Sequence, residues 1–388
     1  MSIYCEFGTK IRTAEAALTH RRSMLGEKKL RLFLRFARFC GYAVLSAVAA
    51  VLPAGCGDSS SSLPGGSGEA EDTSVTYVNN FGSYRALVHV PKSYRRETPM
   101  PLVVNLHGCN RTAEEQLSIT QYNVMADREE FIVIYADYDG AANTTHPLSC
   151  WRFYEPLDWQ RTGGDPDGVA GLTRAVMDRW SVDPSRVYLV GSSSGGFMTS
   201  ILGATHPELF AAIAIIAGGP YASTLLDALQ PVGPQLVPVA NRAELAHAAM
   251  GENSRVVPVL AMHGDQDTTV YPQNGVNAIQ QWLMTNNLVV TGAASGPFPL
   301  TPTTVESGLD AGGASFERQD FRSADGCLIA RHVRIHGQEH GWPGRTEDSL
   351  GAPVVDPLPM GTRMSWDFFK NYTKKSGAAI PCRSAAFE

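Results

Sequence analysis

Val187-Tyr188-Leu189-Val190-Gly191-Ser192-Ser193-Ser194-Gly195-Gly196 is a strand-forming run that stops at a Gly-x-Ser-x-Gly pattern and continues into helix-forming residues. In such an elbow a strand turns sharply into a helix. The central serine then sits on a strained backbone with its hydroxyl exposed above the sheet, and small neighbours permit the close approach. Ser193 is therefore the expected nucleophile. Five residues with three fixed positions recur by chance, so the pattern gains weight from the strand before it, the helix after it and the partners found elsewhere.

On both sides of this stretch strand-like and helix-like segments alternate. Val75 to Val90 holds two strand-like runs around the turn-rich Asn79-Asn80-Phe81-Gly82, which predicts an antiparallel hairpin or edge. Pro101 to Leu106 is a continuous apolar run that fits a buried strand, followed by His107-Gly108-Cys109. Gln116 to Glu130 is expected as a helix, Phe131 to Tyr138 as a strand, Asp167 to Trp180 as a helix, and Arg186 to Val190 as the strand into the elbow. Ser194 to Thr205 is its helix. Strands are then expected at Phe210 to Ala217, Val257 to His263 and Leu328 to Ile335, with helices at Asn274 to Trp282 and Met364 to Tyr372. This succession predicts an α/β fold, a mainly parallel central sheet with helices on both faces. Two stretches interrupt it, Tyr221 to Arg255 and Ala293 to Ser315. Both are expected as insertions that form a lid or substrate wall, or decoration remote from the site.

The totals set bounds. The 388 residues are 44% hydrophobic and 18% charged, enough apolar material for a large core. The net charge is −6, but the first 55 residues hold nine Lys or Arg against three Asp or Glu, leaving 23 against 35 and about −12 for the rest. A body so acidic argues against a nucleic-acid partner.

The basic excess belongs to an export signal. Lys28 to Arg38 alternates basic and apolar residues, Phe39 to Leu52 is apolar, and Leu52-Pro53-Ala54-Gly55-Cys56 follows with small residues. Fourteen apolar residues are short of the roughly 20 that span a bilayer, so cleavage is expected. The ending resembles a bacterial lipobox, with lipid on Cys56, although Pro53 stands where leucine is usual; an ordinary secretory signal or uncleaved anchor is the alternative. Translation starting at Met24 would leave the signal intact. Gly57 to Thr73, rich in Ser, Gly and acidic residues, is expected as a flexible tether to a catalytic body spanning residues 74–388. The protein is thus expected to be secreted, periplasmic or on the cell surface, and to meet a membrane through a lipid anchor at most.

A serine hydroxyl is a weak nucleophile at neutral pH and needs a histidine base, itself held by a carboxylate. In elbow-bearing hydrolases the chain order is Ser, then Asp or Glu, then His. After the strand Val257 to Met262 comes His263-Gly264-Asp265-Gln266-Asp267, where Asp267 is expected to reach the histidine loop and Asp265 to cap the turn. After the last strand comes His336-Gly337-Gln338-Glu339-His340-Gly341-Trp342-Pro343-Gly344. His340, flanked by glycine beyond the strand, is the expected base, while His332 and His336 are expected to be packed or solvated. His107 and His263 each close a strand before a glycine and are expected to orient loops. No His or Cys spacing suggests a metal, and nothing suggests a cofactor.

The developing oxyanion requires backbone N–H donors. Ser194, at the start of the elbow helix, supplies one, and Cys109, after an earlier strand, is the candidate for the second. A brace at Cys109 would be useful, and Cys150, on the loop after Phe131 to Tyr138, is placed to supply it. Setting aside Cys5, Cys40 and Cys56, the body holds Cys109, Cys150, Cys327 and Cys382, which allow three pairings. Cys109 with Cys150 and Cys327 with Cys382 is the pairing favoured, free buried thiols being the alternative. Trp151 is then expected at the mouth of the site, offering a surface to substrate, or else in the core.

Together, Leu106-His107-Gly108-Cys109, Ser149-Cys150-Trp151, Gly191 to Met198, His263 to Asp267 and His340 to Gly344 resemble the polyhydroxybutyrate depolymerase family of esterases, which also includes feruloyl and acetylxylan esterases. The resemblance spans roughly Thr73 to Tyr372. It implies an α/β-hydrolase fold and attack on ester bonds, with Ser193, Asp267 and His340 as triad. Ser194 stands where the family often has alanine, and its backbone N–H is unaffected. The expected substrate is a hydroxyalkanoate oligomer or polymer. The alternatives are a feruloyl or acetylxylan ester and, in a different class, an inactive hydrolase fold serving as a surface binding protein.

Overall fold

The computed structural model describes residues 71–138, 146–230, 237–344 and 358–375, together with 377, 379, 381 and 382. The expected export signal, Cys56 and the tether up to residue 70 lie outside the described residues.

Ten strands form one sheet in the order β1-β2-β4-β3-β5-β6-β7-β10-β9-β8. Its centre is parallel: β4 (Ile132–Tyr138), β3 (Met100–Leu106), β5 (Val182–Ser192), β6 (Ala212–Ile216), β7 (Val259–Gly264) and β10 (Leu328–Ile335) run the same way. Every residue of β3, β4, β6 and β7 is buried. That is why these strands are continuous apolar runs: both of their faces are covered. Alternate residues serve the two faces. Leu102, Val104 and Leu106 pack into one apolar cluster with residues of α3 (Gly164–Arg179), α4 (Ser194–Thr205) and α7 (Gln273–Thr291). Val103, Tyr188 and Val190 pack into the other with α1 (Ala113–Thr120), α2 (Tyr122–Glu129) and α8 (Met360–Phe369).

Antiparallel pairs flank the parallel centre at each edge. The expected amino-terminal hairpin is β1 (Glu71–Asn79) and β2 (Gly82–Val90), turned where Asn79 Oδ1 accepts from the N–H groups of Phe81 and Gly82 at 2.8 and 3.0 Å. β1 begins at Glu71, so the last three residues read as tether belong instead to the sheet. At the other edge β8 (Thr304–Leu309) and β9 (Ser315–Arg322) add a hairpin beside β10. Thus the stretch Ala293 to Ser315 supplies an edge strand.

Two further differences concern helices. The segment expected as one helix over residues 116–130 is two, α1 and α2, because Gln121 takes a left-handed conformation (φ 51°) and ends α1. Thr112 and Glu115 cap α1 reciprocally. In the other interruption lie α5 (Leu225–Leu229) and α6 (Val239–Met250). α6 is a packed helix: Ala243, Ala246 and Met250 are buried, and Arg242 forms an enclosed ion pair with Asp227 at 2.7 Å.

Candidate active site

The strand β5 delivers Ser193 to the carboxyl edge of the sheet, and α4 starts at the next residue. Ser193 has φ 57° and ψ −121°, a conformation that L residues adopt only under constraint. The constraint is visible. Its N–H donates to Ile216 O at 2.9 Å, and a Cβ on Gly195 would collide with the carbonyls of Leu106 and His107. A Cβ on Gly196 would lie 2.8 Å from Ile216 O. The elbow is therefore wedged between the ends of β3 and β6, and only glycine fits at positions 195 and 196.

Ser193 Oγ lies 2.9 Å from His340 Nε2, and His340 Nδ1 lies 2.7 Å from Asp267 Oδ2. A carboxylate only accepts, so Nδ1 carries the hydrogen and Nε2 is free to accept from the serine hydroxyl. Asp267 comes from the loop after β7. Its Oδ1 accepts from the N–H groups of Thr269 and Val270, both at 2.9 Å. Burial by itself would raise the Asp267 carboxyl. Hydrogen bonds from His263 and His340, with the charge of His340, outweigh burial and hold the group well below the usual carboxylate range.

The neighbouring aspartate makes a parallel but separate pair. Asp265 accepts from His336 Nδ1 at 2.9 Å and from Gly337 N–H at 2.8 Å, so it fastens the start of the histidine loop and does not approach Ser193. His332 is buried, which pushes its imidazole down to about 3.

On the opposite side of Ser193, the loop after β3 carries Gly108 and Cys109. A Cβ on Gly108 would lie 3.0 Å from the Ser193 Cβ and 3.7 Å from Oγ, so this backbone runs directly past the serine hydroxyl. Neither the Cys109 nor the Ser194 N–H makes a hydrogen bond to a described group, which leaves both available to an oxyanion. Cys109 is bonded to Cys150 with Cα atoms 4.2 Å apart, and Asn110 N–H donates to Leu148 O at 2.7 Å. Cys327 and Cys382 form the second disulfide. His107 anchors the loop from below, with Nε2 3.1 Å from Asp137 Oδ1 and Nδ1 2.8 Å from Gly108 O.

Trp151 is a correction. It is wholly buried, its ring centroid 5.1 Å from that of His107 and 6.0 Å from that of Tyr138. It supports the His107 loop from behind and presents no surface to a substrate. The aromatic residue that lines the cleft at Ser193 is Trp342, two residues beyond His340, joined by Arg111, Gln116, Ile119 and Ala217. Trp342 is fixed by its Nε1–H to Thr362 Oγ1 at 3.2 Å. Its place in Gly-Trp-Pro-Gly immediately after His340 is the signal that could have singled it out. No described residue of either insertion lines this cleft.

The profile described as Esterase PHB depolymerase matches residues 84–297. The chain belongs to the PHB depolymerase esterase family. By family it is a carboxylic ester hydrolase. The matched segment contains Cys109, Cys150, Ser193 and Asp267 and ends before His340.

Among related esterases, the chain is 30% identical over 278 residues to poly(3-hydroxyalkanoate) depolymerase C of Paucimonas lemoignei, covering 69% of this chain and 62% of that protein. The chain therefore spans less than two thirds of the depolymerase's length. It is also 30% identical over 237 residues to feruloyl esterase B of Thermothelomyces thermophilus, covering 58% of this chain and 79% of that protein. Among solved structures, the acetyl xylan esterase from Aspergillus awamori superposes with a TM-score of 0.58 at 22% identity, over 77% of this chain and 99% of that one. This likeness gives the chain its fold, that of an α/β-hydrolase.

Proposed function

We propose that this protein is an exported serine esterase that cleaves hydroxyalkanoate oligomers or polymer through an acyl-enzyme on Ser193. The observation that carries the reading is the unbroken relay from Asp267 Oδ2 through His340 to Ser193 Oγ, with links of 2.7 and 2.9 Å. As Oγ attacks the ester carbonyl carbon, His340 Nε2 takes the hydroxyl proton, and Asp267 stabilises the imidazolium that results. The oxyanion accepts from the N–H groups of Cys109 and Ser194. As the tetrahedral intermediate collapses, the departing alcohol takes the proton from Nε2. Water then attacks the acyl-enzyme by the same route, and Ser193 regains its hydrogen.

The substrate class is argued from likeness and from the cleft. The resemblance to the poly(3-hydroxyalkanoate) depolymerase covers 69% of the chain, more than the 58% of the feruloyl esterase comparison. Ile119, Ala217 and Trp342 offer apolar surface beside Arg111 and Gln116, a mixture suited to a short aliphatic acyl chain bearing oxygen. A second reading, an acetylxylan esterase, is favoured by the near-complete coverage of the Aspergillus awamori structure. For location, the reading rests on the signal-like residues 28–56 and on two disulfides in the described body, which suit an oxidising compartment. Cys56 is then the lipidated terminus, and the residues up to β1 tether the body to a membrane.

The deciding experiment compares kcat/KM of the purified body on hydroxybutyrate oligomers, methyl ferulate and acetylated xylan. The reading expects the oligomers to be preferred, and a preference for ferulate or xylan acetate would refute that substrate. Mass spectrometry of the mature amino terminus should find lipid on Cys56, and an unmodified terminus at another residue would refute the anchor.

A further inference from the structure

His263 closes β7 directly beneath the acid. Its Nε2 lies 2.7 Å from Val270 O and 3.2 Å from Asp267 Oδ2. Both are acceptors, so the ring's hydrogen sits on Nε2, where it bonds Val270 O and faces Asp267 Oδ2 alongside. Nδ1 has no hydrogen-bond partner among the described residues, so nothing draws the hydrogen to the other nitrogen. The residue is 2% exposed.

The oxygen it reaches is the one that serves the base. Asp267 Oδ1 is pinned by two backbone N–H groups, whereas Oδ2 accepts from His340 Nδ1 on one side and faces His263 Nε2 on the other. We propose that His263 is a positioning residue for ester hydrolysis: by donating Nε2–H toward Asp267 Oδ2 it fixes the carboxylate plane, and thereby the line along which His340 aims its Nε2 at Ser193. The inference rests on the reading of Ser193, His340 and Asp267 as the catalytic set, and it extends their chain by one member.

The packing behind the ring fits this role. A Cβ on Gly275, in α7, would lie 2.9 Å from His263 Nδ1 and 3.2 Å from His332 Nε2, so glycine lets the helix back the imidazole closely. His332, behind it on β10, is kept neutral chiefly by burial. The remaining charged groups around this space are Asp265, engaged by His336, and Arg334.

The test compares two substitutions in the full chain. Glutamine extends an amide nitrogen to about the position of Nε2, whereas leucine fills the volume without a donor. With a short-chain p-nitrophenyl ester, His263→Leu is expected to lower kcat by about tenfold to a hundredfold with KM within about twofold of wild type. His263→Gln is expected to restore kcat to within about threefold. A residue that only packs would show no such split and no such rescue. Wild-type kcat in His263→Leu, or His263→Gln as impaired as His263→Leu, would overturn the proposal. Should His263→Leu not fold, Gly275→Ala takes its place, because alanine suits the helix while its Cβ presses the ring from behind. Reduced kcat at unchanged KM in a cooperatively unfolding Gly275→Ala protein supports the role, and unchanged kcat overturns it. Ser193→Ala runs alongside. Hydrolysis retained there would overturn the site reading and this proposal with it. An inactive Ser193→Ala beside a fully active His263→Leu overturns this proposal alone.

Discussion

Gly264 and Gln338 meet more closely than any side chain would permit: a Cβ on Gly264 would overlap the carbonyl oxygen of Gln338. The contact joins the acid loop to the histidine loop. It is reinforced by Gln266 N–H to Gln338 O and Asp265 N–H to Ile335 O, each 3.0 Å. The separation of Asp267 and His340 is therefore set by backbone packing one to five residues away from them. Gly264→Ala is expected to force the loops apart, costing about 1–3 kcal/mol of stability and at least about tenfold in kcat. Denaturant unfolding and steady-state kinetics check both, and an unperturbed kcat would contradict the account.

Two aspartates two residues apart each engage a histidine of the same loop, yet only one pair reaches Ser193. Asp267→Asn is expected to lower kcat by about 10² to 10⁴, since the wrong tautomer of His340 is then favoured. His336→Ala should leave kcat within about threefold of wild type, because its partner Asp265 lies outside the relay. A loss in His336→Ala larger than that in Asp267→Asn would show that the pairs had been assigned the wrong way round.

The two disulfides should separate by function. Cys150→Ser frees the loop that holds the Cys109 N–H and should reduce kcat, by at most the roughly 10² to 10³ that one oxyanion donor contributes. Cys327→Ser removes a link across 55 residues. It should cost about 2–4 kcal/mol of stability and leave kcat unchanged at a temperature where the protein stays folded. Kinetics and unfolding of both variants decide the matter, and a silent Cys150→Ser would remove the brace from the mechanism.

Acidification should destabilise the fold. Burial pushes His206 and His332 each down to about 3, below the value of about 6.5 expected in the unfolded chain. On acidification the unfolded chain therefore binds these protons first. The stability involved is complete above about pH 6.5 and is lost as pH falls toward about 3. Asp158 works in the opposite sense: burial, then the neighbouring charge of Asp165, raises it to about 6, so the folded form takes that proton first. Two histidines against one carboxyl leave the net direction downward. Urea midpoints should fall between pH 7 and 4, and His332→Gln should flatten the fall by up to one proton, about 1.4 kcal/mol per pH unit. A pH-independent midpoint would contradict this.

The parts of the site that were legible in the sequence are those whose chemistry constrains local residues. The elbow needs glycine two residues to each side of Ser193, Asp267 and His340 follow strands in a fixed chain order, and Cys109 and Cys150 follow adjacent strands. What could not be read depends on packing between distant segments. Trp151 and Trp342 are both tryptophans beside a site residue and both are buried, but Trp151 packs against His107 behind the loop while an edge of Trp342 reaches the cleft. β8 is almost wholly exposed, so it lacks the apolar alternation that marks a half-buried strand and is formed by pairing with β9. The break at Gln121 carries neither glycine nor proline. His263 was legible as a strand-closing residue, but its contact with Asp267 emerges only from the turn that brings Asp267 back over it.

The central claim is that Ser193 is the nucleophile. An organophosphonate ester, which phosphonylates an activated serine and loses its leaving group, should add one adduct mass to the intact protein in step with loss of ester hydrolysis. Peptide mass spectrometry should place the adduct on Ser193, and Ser193→Ala should neither label nor turn over substrate. Labelling at another serine, or hydrolysis surviving in Ser193→Ala, would contradict the account.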